Sequence, residues 1–526
     1  MNTLEIDGFS LTRPDGSPSE LFDYQKKALQ KAFDAPRDNS RSMMFLNLGT
    51  GTGKTVLALA GAQELFNRGE IDLAVVFALK SVKKDFMDRA HFTNLRFLRP
   101  EGTKAKRTKE YQRRDFDVLI LNYEKAQPRL DLDLILEIVK GRRVLFCLDE
   151  TQKILLENTA RTGVLKLIEA AEFSYVWPMS ASVINGDPER FWRIFEFAPN
   201  GNPLGTLEDF KARYVEKYDV LRIRNKGRSA AWLPWIEISQ PKWNDKKLEE
   251  VPEIVRDFMV TGRKTDPGIR ENFKGLQFFP VPLEMSKEHR SLYELLREEA
   301  KGGAARGDLI QFYNAIRLTL LHPNAVTYSD GEVSKVIAQT MGDKLSKIEN
   351  VKLDQLLDDV STIIEGGDKV VVFTHWVNMS MNIISAAFDK HKIPYVKNQG
   401  GLSDRQLAAV RDEFKQSKTP MVFLSSDAGS HGINLPEARV VINYDIPMSY
   451  DVLMQRNDRI DRADSWLEGL EARAYYYEGT MEEKIWHENN ARRKQAAALQ
   501  GTVEVLGKIF TDEAVSVARA ADLLEI

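Results

Sequence analysis

No disulfide can form within this chain, because Cys147 is its only cysteine. One cysteine and seven histidines also leave no Cys/His metal-ligand spacing and no Cys/His nucleophile pair. No apolar run approaches the ~18 residues that a membrane-spanning helix needs, so no membrane association is expected. Residues 1–11 lack the basic and apolar blocks of a signal peptide, and a reducing, cytoplasmic setting is expected. Internal repeats and long low-complexity linkers are absent, which excludes solenoids and propellers. Charge of one sign is missing too: 74 Lys and Arg face 77 Asp and Glu, for a net charge of −3. Binding to nucleic acid would have to come from a local basic surface. At 526 residues the chain exceeds the roughly 250–300 that one core can serve, so two or three domains are expected.

What is present centres on Gly49-Thr50-Gly51-Thr52-Gly53-Lys54-Thr55. An apolar run at 43–46 precedes it and reads as a buried strand; the run from Val56 reads as the start of a helix. A glycine-rich turn between strand and helix is the setting of a phosphate-binding loop. Its glycines let backbone N–H groups approach an anion, and the helix N-terminus adds a favourable field. Lys54 supplies a charge for the β- and γ-phosphates, and Thr55 a hydroxyl for magnesium. Leu48 stands where the strict pattern has Gly or Ala, a position relaxed in helicase-type loops. Taken alone, the motif also fits a glycine-rich turn with a surface lysine.

Two series of short apolar runs alternate with helical stretches. The first occupies residues 43–48, 73–79, 118–122, 144–148 and 175–179; the second 369–374, 394–396, 421–424, 440–443 and 474–477. Such runs predict parallel strands buried on both faces, hence two α/β lobes. Residues 207–219 and 289–321 read as helices, and 232–244 as irregular or short extended structure. The expected division is an ATP-binding lobe at 1–205, helical insertions and an interlobe region at 206–345, a second lobe at 346–480 and a helical brace at 481–526.

Asp149-Glu150 closes the strand at 144–148, where ligands bind in open α/β sheets. Beside a phosphate loop, Asp149 would hold magnesium through its waters and Glu150 would deprotonate the attacking water. An isolated acidic pair is more often a solvated strand end; the loop at Lys54 reverses that balance. Arg459 and Arg462 are read near the start of a helix in the second lobe. At a spacing of three they would share one face and reach one γ-phosphate as arginine fingers. In isolation they would be surface arginines paired along a helix.

The order Tyr24-Gln25, GTGTGKT, Asp149-Glu150-Thr151-Gln152, Ser180-Ala181-Ser182 and Gln455…Arg459…Arg462 resembles the superfamily-two helicase core. Trp177 to Gly186, Leu318 to His322-Pro323, Lys369 to Trp376, Ser425 to Leu435 and Gly479 to Ile485 narrow the resemblance to the Swi/Snf-type DNA-dependent ATPases. It runs from about Leu21 to about Leu499. It implies an α/β fold of two RecA-like parallel-sheet lobes with helical insertions, a P-loop NTPase that uses ATP and magnesium. Gln25 would read adenine with Tyr24 beside it; Gly49 to Thr55, Gln152, Gly432 and Gln455 would complete the nucleotide site. Gln152 stands where the family has histidine, and Asp458 replaces its usual glycine.

The resemblance also places Lys80, Ser81, Lys83, Asn122 and Tyr123 in the first lobe, and His375, Trp376, Ser425 and Ser426 in the second, against DNA phosphates. The run 96–114 carries Lys104, Lys106, Arg107, Lys109, Arg113 and Arg114, and reads equally as a solvated loop or a DNA contact. The expected activity is an ATP-driven monomeric motor on double-stranded DNA that remodels DNA or protein–DNA complexes. Alternatives are a strand-separating or branch-migrating helicase, a motor dependent on RNA polymerase or a restriction complex as partner, and a scaffold with a dead nucleotide site. The last is disfavoured because Lys54, Thr55, Asp149, Glu150, Arg459 and Arg462 are all present.

Overall fold

A computed structural model of the chain describes residues 4–12, 16–128, 130–155, 159–180, 188–224, 235–248, 250–264, 266–306, 308–427, 433–462, 465–498 and 523–524. It divides into two compact units, whose main segments are Met1–Phe273 and Lys274–Ala498.

The first unit is built on an eight-stranded sheet. Across it run Met259–Gly262, Phe45–Leu48, Phe173–Ser180, Arg143–Asp149, Leu73–Phe77, Val118–Leu121 and Phe97–Leu98, with Arg41–Met43 also paired to Phe173–Ser180. Every pairing is parallel. Leu73–Phe77 and Val118–Leu121 are buried at every position, as expected of strands covered on both faces. One apolar layer gathers Phe45, Phe77, Phe146 and Phe195; the other gathers Leu46, Leu57, Cys147 and Trp177.

The second unit carries a six-stranded, all-parallel sheet: Leu276–Leu283, Leu470–Tyr477, Val440–Asn443, Val370–Phe373, Val422–Ser425 and Tyr395–Asn398. Both sheets confirm the expected α/β architecture, and all ten anticipated runs are strands. The edge strand Leu276–Leu283 is an addition. Pro280 and Pro282 argue against a central strand but are tolerated at an edge.

Residues 206–345 are divided between the two units. The helix expected over 207–219 ends at Tyr214, and Val215–Arg224 pairs antiparallel with Trp235–Trp243. The helix loses its last turn because 215–219 pairs with 240–243, more than twenty residues away, a pairing no local pattern shows. The stretch read as one helix over 289–321 is two, Lys287–Arg306 and Leu309–Leu321. Of the expected brace, Met481–Ala498 is helical, 499–522 lie outside the described residues, and Leu523 and Leu524 join the second unit's core.

Beneath that core the ammonium of Lys352, fully buried, donates to both carboxylate oxygens of Glu482 at 2.7 Å. It also lies 4.7 Å from the Tyr477 ring centre. The pair joins the helix Val351–Glu365 to the helix Met481–Ala498. Glu482→Gln strands a buried ammonium and is expected to cost about 3–5 kcal/mol. Lys352→Met combined with Glu482→Leu should recover most of that loss, as measured by urea unfolding.

Candidate active site

The strand Phe45–Leu48 runs into the glycine-rich loop, and the helix Lys54–Asn67 starts directly beyond it. Gly51 and Gly53 have φ of 77° and 88°, a left-handed conformation open to glycine and strained for other residues. At Gly53 a Cβ would lie only 2.4 Å from Gln25 Nε2. Gln25 is buried against this turn: its nitrogen donates to Thr52 O at 3.0 Å, and its oxygen accepts from Phe22 N at 3.0 Å. Tyr24 OH donates to the same Thr52 carbonyl at 2.7 Å. On the other side Gly49 N donates to Gly262 O at 2.8 Å, from an edge strand that sequence reasoning did not find. Lys54 Nζ donates to Leu48 O at 2.8 Å and Gly49 O at 3.1 Å. The loop carbonyls of residues 48, 49 and 52 are thus all engaged internally. The helix has no capping side chain and no acidic residue in its first turn, so its first N–H groups suit an anion.

Two strands over in the sheet, Asp149 ends its strand and Glu150 follows in the left-handed region, at φ 51° and ψ 51°. That conformation costs a non-glycine residue on the order of 1–3 kcal/mol and persists only where surroundings over-determine it. Thr151, fully buried, supplies the restraint: its Oγ1 donates to Leu148 O at 2.6 Å and accepts from Met179 N at 3.0 Å. Tyr123 OH donates to Asp149 O at 2.7 Å. Thr151 thus ties the acidic turn to the neighbouring strand Phe173–Ser180. The Gln152 side chain, Ala181, Ser182 and Gly432 lie outside the described residues.

Asp149 is 6% exposed. Burial, then the negative charge of Glu150, raise its carboxyl to about 7, while Lys54 pulls the other way and Asp85 adds to the rise. Thr55 Oγ1 donates to Asp85 Oδ2 at 3.5 Å, and Asp85 pairs with Arg89. Thr55, Asp149 and Glu150 offer only oxygen donors. Among the described residues no group of three or more His, Cys, Asp or Glu is placed to hold an ion. This sparse, hard donor set fits magnesium, which is held by one or two carboxylates together with phosphates and waters.

In the second unit Gln455 is on the helix Tyr450–Asn457, but that helix ends before Arg459 and Arg462. The expected shared helical face is thus corrected. Tertiary hydrogen bonds capture the chain just past Arg456: Asn443 Nδ2 donates to Asn457 Oδ1 at 2.9 Å, and Leu435 N to Arg459 O at 2.9 Å. Arg459 is buried and its Nη1 donates to Ile433 O at 3.3 Å; Arg462 N donates to Ser465 Oγ at 3.0 Å.

The residues expected against DNA are largely interior. Lys83 is 5% exposed, with its ammonium 3.9 Å from Glu101, and Asn122, Tyr123, Ser425 and Ser426 are buried. Ser425 Oγ accepts from Asn398 Nδ2 at 2.9 Å. Tyr123 and Ser425 secure strand ends. The side chains of Lys80 and Ser81 lie outside the described residues; His375 and Trp376 are half-buried. The basic run at 96–114 contains a helix, Lys104–Gln112, with Arg107 turned inward to Asp131 at 2.6 and 2.8 Å. Its Lys104, Lys106 and Lys109 remain exposed.

Comparison with known proteins agrees with this geometry. Residues 18–170 match the family described as type III restriction enzyme, res subunit, and residues 351–464 match the helicase conserved C-terminal domain. A putative ATP-dependent helicase/translocase of Bacillus subtilis, YwqA, is 24% identical over 64% of this chain and 34% of its own length. The ISWI chromatin-remodeling complex ATPase CHR17 of Arabidopsis thaliana is 22% identical over 86% of this chain and 40% of its own. The chain therefore spans between a third and two fifths of these relatives. The helicase domain of Pyrococcus furiosus Hef is similar in fold, with 16% identity, 89% of this chain and 98% of that one covered, and a TM-score of 0.51.

A carboxyl whose folded value is raised resists ionisation, so folding loses stability as pH climbs from the ordinary Asp value toward about 7. Asp149→Asn, nearly isosteric and uncharged, is expected to raise the melting temperature. The gain should be full above pH 7 and vanish below about pH 4, near the unfolded Asp value. Thermal melts across that range measure it.

Proposed function

The chain belongs to the superfamily-two helicase-like ATPases of Swi/Snf type, ATP-hydrolysing enzymes, and we propose that it is a motor that couples hydrolysis to movement along double-stranded DNA. The observation that carries the proposal is the meeting of Lys54, Thr55, Asp149 and Glu150 at one edge of the first sheet, with Glu150 held in a strained turn. Magnesium, held by Thr55 and through water by Asp149, would supply charge neutralisation at the phosphates. Lys54 binds the β- and γ-phosphates, the helix N-terminus receives their charge, and Glu150 takes the proton of the attacking water. Arg459 and Arg462 would act on charge that develops at the γ-phosphate. Each round of hydrolysis drives one advance along the duplex.

The names of the relatives, a helicase/translocase and a chromatin-remodeling ATPase, favour DNA as the track. The chain's net charge of −3 limits the interaction to local phosphate contacts, so binding is weakly dependent on sequence. Remodelling of DNA or protein–DNA complexes is the output this motor would have, and it would act as a monomer.

Glu150→Gln should reduce ATP turnover by about 10²–10⁴ while leaving nucleotide binding intact, because size and hydrogen bonding survive and the base does not. Steady-state ATPase and equilibrium binding of a fluorescent ATP analogue separate the two. Wild-type ATPase should be stimulated by duplex DNA more than by single-stranded DNA or RNA. The stimulation should fall with salt at a slope of about 0.9 per phosphate contact. Strong stimulation by single strands alone would replace the duplex motor with a strand-separating helicase.

A further inference from the structure

Three neighbouring strands of the second sheet, Val440–Asn443, Val370–Phe373 and Val422–Ser425, end side by side. Just beyond those ends lie Asp445, Thr374-His375 and Asp427. All converge on one side chain. Arg456, 1% exposed, gives its Nε and Nη2 to the two oxygens of Asp427 at 2.7 and 2.8 Å. Its Nη1 donates to Asp445 Oδ1 and Asp445 O, both at 2.9 Å. The Asp445 carboxylate also accepts from His375 N at 2.7 Å and Thr374 Oγ1 at 3.0 Å. The imidazole closes the ring, with Nδ1 2.9 Å from Asp427 Oδ2.

We propose that His375 is a positioning residue, not a phosphate contact: its Nδ1–H orients Asp427, Asp427 and Asp445 clamp Arg456, and Arg456 sets the backbone that carries Arg459. The proposal rests on the motor described above for its functional meaning. Burial alone would raise the Asp427 carboxyl, but Arg456, with help from His375, holds it well below the usual carboxylate range. An ionised carboxylate has no proton to give, so the proton between the two sits on Nδ1. Among the described residues, two carboxylates face one guanidinium here. The link onward is short. Arg459 N donates to Arg456 O at 3.2 Å, one turn past the clamp. His375 itself is 23% exposed and meets the Trp376 ring edge-on at 4.9 Å, with Arg317 5.9 Å from the centre of that indole. A partner pressing on the half-exposed His375-Trp376 corner would thus move a group that is hydrogen-bonded into the arginine clamp.

The test compares wild type, His375→Ala and His375→Asn as full chains, titrating duplex DNA at saturating ATP. Asn keeps a nitrogen donor near the place of Nδ1; Ala does not. His375→Ala is expected to lower the DNA-saturated kcat by about 2- to 30-fold, with the half-stimulating DNA concentration unchanged and His375→Asn close to wild type. A raised half-stimulating concentration with intact kcat would make His375 a phosphate contact and overturn the proposal. Equal impairment of both variants would overturn it as well, since the donor would then be irrelevant. If no DNA stimulates the wild type, the motor reading fails separately, and the comparison is made on basal kcat. There an unaffected His375→Ala sinks the clamp, and a loss rescued by Asn sustains it. Nitrogen NMR of labelled histidine, without nucleotide or DNA, provides a readout independent of turnover: His375 must be protonated at Nδ1, and a neutral ring protonated only at Nε2 would contradict the geometry.

Discussion

Parallel pairing is the constraint on which everything else hangs. When all strands of a sheet run the same way, their carboxyl ends fall on one edge, and the loops leaving those ends are brought together whatever their separation in sequence. In the first unit this joins the loop after Phe45–Leu48 with the acidic turn after Arg143–Asp149, one strand apart across Phe173–Ser180. In the second it joins Asp445, His375 and Asp427 around Arg456. Antiparallel strands would have scattered the same residues to opposite ends.

At both edges charge is held in the interior, and the two units solve the cost differently. Asp149 is raised toward neutrality by burial and by Glu150, a state that ordering beside a cation would relieve. Arg456 is buried with two carboxylates that engage all three of its guanidinium nitrogens, so its charge is not left uncompensated. The first arrangement is poised for a ligand, whereas the second is already complete.

The backbone at these edges is equally specific. Glu150 occupies a conformation that its side chain does not favour, and Thr151 and Tyr123 hold it there. Gln25 does similar work on the phosphate loop, since its carboxamide fills the space a Cβ on Gly53 would need. Residues marked out by pattern as ligand contacts thus have measurable structural duties: Gln25 braces the loop, and Tyr123 braces the acidic turn.

Local chemistry in the sequence was enough to determine the two α/β lobes, the ten strand runs and the nucleotide motifs. Strand hydrophobicity, glycine conformation and the identity of Lys54, Thr55, Asp149 and Glu150 are properties of short segments and need no knowledge of neighbours. Burial and long-range pairing were decided only in three dimensions. Ser425, Lys83 and Tyr123 look polar and available in sequence, yet each is enclosed by elements far from it. The strand after Tyr214, the prolines of Leu276–Leu283 at a sheet edge and the end of the helix before Arg459 each depend on a partner distant along the chain. The arginine clamp was illegible for the same reason: His375, Asp427, Asp445 and Arg456 acquire a common role only because parallel strands deliver them to one place.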